Sequence, residues 1–408
     1  MATLHAVDPI RAEAVDQQLA AAKAASWAFE GEAFFAHGTA LVQAGTDAWR
    51  EERTTMAARP PLGEALDKAS AAVERQERRE LPFLFSSVHW TTEDRLANGG
   101  PGHPLSRHAF SQLLSRADAP GGAAGYLGQC TPEMRAPHVT HWLRQALDSK
   151  GSPTKGILRT ALTGGQRAAY AVVSPRYVPC DLPAVVSTLR EALPRGAKGA
   201  VVVAGPRWEI RAFYGSPIEP VVGEVFNCGV VVTGADDGSA PVCVRAIAER
   251  VRCVNLTRLT GTAVNVDIRH SSRQILAQVR QALEASSQAV SVFATDWADA
   301  MQQQLFADGS AYQPAEIFAA LVRADLVRAP SGCSTSDFVD RLVTAWRVEP
   351  SYTRAGLVNA ITRVAHTSSW TRSWVTADLE EQAGELVHVR VLLAPSGTTE
   401  QGNLLEVN

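Results

Sequence analysis

No stretch of this 408-residue sequence approaches the ~18 consecutive apolar residues that a membrane-spanning helix requires. The opening run from Met1 to Arg11 is polar and contains Asp8, unlike a secretory signal. None of the six cysteines, Cys130, Cys180, Cys228, Cys243, Cys253 and Cys333, stands in C-x-x-C spacing. Their mostly apolar neighbours point to free thiols in a reducing compartment, so a cytoplasmic protein without membrane contact is expected. Phosphate-cradling glycine motifs are missing: there is no G-x-G-x-x-G and no G-x-x-x-x-G-K-[ST]. Neither a G-x-S-x-G elbow nor H-E-x-x-H is present. His138 and His141, with Cys130 and Glu133 upstream, come nearest to metal-ligand spacing, but the tight repetition of a closed zinc site is lacking. A helix surface is the plainer reading, and no metal or cofactor is implied. Charge of one sign is not in excess either. With 39 basic against 42 acidic residues and 46% hydrophobic content, the chain is neither histone-like nor disordered.

What is present reads as α+β, a central and mostly antiparallel sheet flanked by N-terminal and C-terminal helical regions. Residues 1–104 form a helical extension and linker. Ala20, Ala24, Trp27 and Phe34 fall at helical spacing, and Leu66 to Arg79 reads as a highly charged helix with little apolar face. Such a helix is a solvated or partner-facing element, and it leads us to expect a homo-oligomer. Residues 81–104 are loop and short strand, closed by the Gly/Pro cluster 98–104.

Residues 105–270 make the α+β core. Ser106 to Arg116 is a helix with Ala109, Leu113 and Leu114 inward. Thr131-Pro132 starts another, with Val139, Trp142, Leu143, Ala146 and Leu147 on its core face. Gly151 to Gly165 reads as a linker. Strands are expected over 168–173, 200–203, 208–214, 224–232 and 240–247, with a hairpin turn at Gly234 to Gly238. A helix over 184–193 interrupts them, with Asp181 as its cap. Val172, Val202, Ile210, Val231 and Val244 should be buried. Residues 271–408 are helical. A long amphipathic helix over 271–306 carries Ile275, Leu276, Val279, Leu283, Phe293, Trp297, Met301 and Leu305, and Ser286-Ser287 marks a potential break. Further helices are expected over 314–327, 336–346 and 352–379.

The near-neutral total hides an asymmetry. Residues 150–284 hold 17 basic and 10 acidic side chains, and 14 of the 17 are arginine, the residue suited to bidentate contact with phosphate or carboxylate. Either these arginines form a nucleic-acid surface, or they are solvated strand ends of an arginine-rich chain.

Four runs carry a family resemblance. They are Leu105-Ser106-Arg107-His108-Ala109-Phe110-Ser111-Gln112-Leu113-Leu114 (with His138 to Leu143 after it), Arg167 through Ser174-Pro175-Arg176-Tyr177 to Asp181, Arg250-Val251-Arg252-Cys253-Val254-Asn255, and Tyr352 through Asn359-Ala360-Ile361-Thr362 to His366. Together, over about residues 105–385, they resemble the phage/plasmid-like protein family known as domain of unknown function 932. Asn227-Cys228-Gly229 departs from the N-S-x-x-G element of that family. The resemblance implies a setting in phages, plasmids and integrated elements of a bacterial host cell, beside replication and recombination functions.

From these residues we expect a nucleic-acid interface in which Arg167, Arg176, Tyr177, Arg207, Trp208, Arg211, Arg250, Arg252 and Arg258 share one solvent-facing surface, with Asn255 at its edge. Arginine offers a fork of donors, and tyrosine and tryptophan offer stacking faces, a combination that suits single-stranded DNA. The plainer alternative is a structural corner in which Tyr177 packs over the sheet and Arg176 pairs with Asp181 or a carbonyl. Two functional readings follow. One is a non-enzymatic nucleic-acid-binding protein that binds or anneals single strands in replication or recombination. The other is a structural or assembly protein of a phage or mobile element, located in the virion. An enzyme with a site assembled from scattered residues is a third reading without a motif behind it.

Overall fold

The computed structural model describes residues 34–36, 56, 58–215, 217–221, 224–251, 256–259, 266–270, 274–305, 313–368, 374–388, 391–393 and 404–407. In chain order the elements are β1 (Phe34–Ala36), α1 (Leu62–Glu74), β2 (Arg79–Leu84), β3 (His89–Trp90), β4 (Arg95–Ala97), β5 (His103–Pro104), α2 (Arg107–Arg116), α3 (Ala123–Leu127) and α4 (Pro132–Gln145). Then come β6 (Lys155–Thr163), β7 (Gln166–Val173), α5 (Leu182–Ala192), β8 (Lys198–Ala204), β9 (Arg207–Phe213), β10 (Ile218–Val221), β11 (Glu224–Ala235), β12 (Val242–Arg250), β13 (Leu256–Leu259) and β14 (Val266–Ile268). The chain continues through α6 (Ile275–Gln302), α7 (Pro314–Arg323), α8 (Thr335–Trp346), α9 (Arg354–Thr367), α10 (Trp374–His388), β15 (Val391–Leu393) and β16 (Leu404–Val407). This is an α+β protein. Among the described residues no helix is long and apolar enough to cross a membrane.

A large antiparallel sheet runs β1-β8-β9-β11-β12-β13, with β10 beside β11 and β14 beside β12. Its central strand β11 is buried at nearly every position because both faces are covered, so it reads as a continuous apolar run instead of an alternation. One face packs Val201, Ile210, Val230, Val232 and Val244 against α1, α5 and the first half of α6. The second half of α6 places Phe293 and Trp297 against Phe226 at the far end of β11, where α7 to α10 close a helical core. The expected break at Ser286-Ser287 does not occur. Ser286 is buried, its hydroxyl donates to the Leu283 carbonyl at 2.6 Å, and it meets the Tyr214 hydroxyl at 2.7 Å, so the helix tolerates it.

A second sheet, β2-β6-β7, carries α2 and α4 on one face. Helix α2 also terminates the edge of β7. Ser106 donates its backbone N–H to the Ala169 carbonyl at 2.8 Å, Gln112 Oε1 accepts from Val172 N–H at 2.8 Å, and Arg116 Nε donates to the Val172 carbonyl at 3.0 Å. Side chains thus occupy an edge that would otherwise template strand addition. The same Ser106 caps α2, its hydroxyl accepting from Ala109 N–H at 3.1 Å.

Several expectations are corrected. The segment read as a linker over 151–165 contains strand β6, whose partners β2 and β7 lie on either side. The charged helix is α1, and it is not solvated: Leu62, Ala65, Leu66, Ala69, Ala72 and Val73 are buried, which removes the reason for expecting an oligomer from it. Phe34 belongs to a strand, and the charged helix ends at Glu74, so that Arg79 opens β2; Ala20, Ala24 and Trp27 lie outside the described residues. Val172, Ile210, Val231 and Val244 are buried as expected, whereas Val202 is half-buried. On α6, Leu276 is exposed, and Leu147 after α4 is exposed at 52%. The 352–379 segment is two helices, α9 and α10.

Candidate functional site

The densest polar constellation lies where the turn between β11 and β12 meets the second sheet. Asp236 sits in that turn, fully buried. Its carboxylate accepts from the Trp208 indole N–H at 2.7 Å and pairs with Arg78, which enters from the chain before β2. Gly234 makes this reachable, since a Cβ there would meet the Trp208 ring at 2.3 Å. Arg159, from the middle of β6, fills the opposite side. It donates to Asp181 at 2.6 Å, to Glu80 at 3.1 Å and to the Asp236 carbonyl. Its guanidinium lies 5.4 Å from the ring centres of both Tyr170 and Tyr177. Tyr177 in turn stacks on His270 at 4.8 Å and reaches the Asp236 carbonyl with its hydroxyl at 3.4 Å. Gln112 closes the group, donating to the Asp237 carbonyl at 2.8 Å while it caps β7.

Burial pushes the Asp236 carboxyl up to about 6 against the pull of Arg78, and the Asp181 charge adds to the rise. Burial alone would lower the Arg159 guanidinium, yet the surrounding phenols and Asp181 raise it, so it stays charged. This is a locked ionic joint between two sheets, with its donors directed into the protein and not at a ligand. Asp181, expected as a helix cap, makes no capping bond because Arg159 takes its carboxylate.

The expected solvent-facing surface does not form from the residues described. Trp208 and Arg250 are buried, at 3% exposure each. Arg250 donates to both oxygens of Glu224 at 2.5 and 2.7 Å and to both oxygens of Glu349 at 2.8 and 2.7 Å. Arg211 pairs with Glu209 at 2.5 Å and approaches Glu380 at 3.8 Å. Arg167 pairs with Glu77 at 3.4 Å and donates to its carbonyl at 2.8 Å. Arg207 is half-buried and reaches the Ser239 hydroxyl at 3.4 Å. Tyr177 is half-buried in the joint. Arg176 alone of the described seven is fully solvent-facing, and it does not pair with Asp181. Arg252 and Asn255 lie outside the described residues. Arg258 sits on β13 opposite Ile247.

Four cations gather at one end of the second sheet, and sequence reasoning named only Arg176 among them. Arg116 ends α2, Lys150 lies in the loop before β6, Lys155 opens β6, and Arg176 follows β7 by three residues. Val172, the acceptor for Arg116, is four residues from Arg176, at most ~15 Å along the chain. None of the four has a carboxylate partner among the described residues. The signal that could have found them is arginine and lysine flanking the ends of adjacent strands, read after β6 is recognised as a strand.

No family model, curated protein or solved structure matches the chain. The resemblance to the phage/plasmid-like family therefore stands on its motif residues. Gln112, Tyr177 and Asp181, from two of those runs, meet in the ionic joint.

Proposed function

We propose that this chain is a non-enzymatic nucleic-acid-binding protein that contacts single strands at the end of the second sheet, and not across the large sheet. The observation that carries the reading is the grouping of Arg116, Lys150, Lys155 and Arg176, cations without carboxylate partners among the described residues, at that end. The family setting in replication and recombination agrees with it. Four phosphate contacts on a single strand give a slope of about −3 in log affinity against log salt. Anisotropy of a labelled oligothymidylate titrated at several salt concentrations tests this. Replacing Lys155 and Arg176 together by Ala should flatten the slope by about 1.4 units, ~0.7 per lost contact. Salt-independent binding, or no binding at low salt, refutes the reading.

A second reading, an assembly or interaction protein of a mobile element, has its own observation. Tyr126 on α3 and Met134 on α4 are exposed at 66% and 53%, a pair of large apolar side chains on neighbouring helices. Light scattering on the purified chain separates the two: a change of mass on replacing Tyr126 and Met134 by Ser favours assembly.

A further inference from the structure

We propose that the cleft between α2 and the loop over 147–154 is a subsite for one nucleotide of a single strand, with its phosphate on the Arg116 guanidinium. The proposal rests on the nucleic-acid reading above and assigns that reading a pocket. The cleft has a volume of about 690 Å³. Its walls carry the hydroxyl-bearing residues Ser111, Ser115, Ser149 and Thr154, and Arg116 lies between them. Arg116 is held in place by its Nε, which donates to the Val172 carbonyl at 3.0 Å. That bond fixes the guanidinium plane and leaves both terminal nitrogens for a ligand, since no other hydrogen bond or ion pair engages them among the described residues. Arg159 and Arg211 are answered by carboxylates, which raise them. Arg116 is lowered by burial with nothing to offset it. An anion is the missing counter-charge.

Three features could oppose an anion, and each has an answer in the geometry. The C-terminal carbonyls of α2 carry partial negative charge. Those of Leu113, Leu114 and Ser115 are already capped by the N–H groups of Ala117, Ala119 and Asp118 at 3.1, 3.1 and 3.4 Å. Asp148 lines the cleft, but its Oδ1 accepts from the backbone of Lys150 and Ser152 at 2.9 Å each. Asp118 is exposed at the rim. These two carboxylates select against bare inorganic phosphate and for a nucleotide, whose base N–H and, in RNA, 2′-hydroxyl donate to acceptors beside the phosphate. Lys150 and Lys155 lie at the same end of the sheet to take the neighbouring phosphates of a strand.

The test uses the full chain and labelled oligothymidylate and oligouridylate, each longer than the roughly 4–16 nucleotides that one strand-binding fold covers. Arg116→Ala should weaken binding about tenfold or more, the worth of a charge-assisted hydrogen bond, and reduce the salt slope by about 0.7. A second variant, Ser111→Asp with Ser115→Glu, puts carboxylates in the cleft at exposed positions and leaves the Arg116 bond to Val172 untouched. It should lose binding by at least as much while melting at the wild-type temperature. Wild-type affinity in both variants overturns the cleft and leaves the nucleic-acid reading standing. No wild-type binding to either oligonucleotide overturns both.

Discussion

Arg159→Met is the sharpest test of the ionic joint. Arg159 is 2% exposed and is the only partner within 3 Å that the structure gives the Asp181 carboxylate among the described residues, at 2.6 Å. Methionine fills much of the volume and supplies no donor. The substitution leaves Asp181 facing Arg78 at 3.7 Å, leaves the Asp236 carbonyl only the long Tyr177 hydroxyl contact at 3.4 Å and removes the cation beside Tyr170 and Tyr177. Breaking a buried pair from one side costs about 3–5 kcal/mol. Asp181 retains 22% side-chain exposure and the distant Arg78, which places this case near the lower end, about 3 kcal/mol. At about 1 °C per kcal/mol for a chain of 408 residues, the melting temperature should fall by about 3–4 °C. Urea unfolding followed by tryptophan fluorescence reads the same loss, because Trp208 borders the joint. Arg159→Met with Asp181→Leu should recover part of it, since an apolar pair no longer strands a charge. A loss below about 1 kcal/mol, the level of an exposed ion pair, would refute the reading of this cluster as a structural lock.

The joint also sets a pH dependence. With Asp236 raised from 3.8 to about 6 by burial, the native state binds the extra proton, so stability is greatest below about pH 4 as far as this group goes and falls as pH rises to about 6. Asp236→Asn should flatten that part of the stability profile in urea titrations at stepped pH; an unchanged profile would assign the slope elsewhere. Arg250→Met should destabilise by about 3–5 kcal/mol by leaving Glu224 buried without its partner, whereas Glu349→Gln, on the more exposed side, should cost less. Equal losses in the two melting curves would contradict that ranking. Gly234→Ala should cost about 1–3 kcal/mol by driving a methyl into the Trp208 ring, with a shift in tryptophan emission as the indole moves; an unaltered spectrum and melting temperature would show that the approach is loose.

Much of the secondary structure was legible from local pattern. The hairpin β11–β12, helix α2 and α6 are all written in short-range periodicity and turn signals, which depend on neighbours within a few residues. Strand β6 was not, because Gly151 to Gly165 carries turn residues at both ends and its middle is short. What identifies Leu158 and Thr160 as strand residues is pairing to β2 and β7, segments on either side of it.

The sequence by itself determined the α+β class, most helix positions, the strands β7, β8, β9, β11 and β12, and the excess of arginine over the sheet segment. Tertiary structure alone decided what those arginines do. Arg250 meets Glu349 across 99 residues, Arg167 meets Glu77 across 90, and Arg159 meets Glu80 across 79. A charge count over a window of sequence registers the cations of the sheet segment and the anions before and after it as separate surpluses. Folding brings them together in low-dielectric surroundings, where a buried cation must find its counter-ion within the protein. The cations left over, Arg116 and Arg176 among them, are set apart by what the fold failed to place beside them, and no local pattern encodes that.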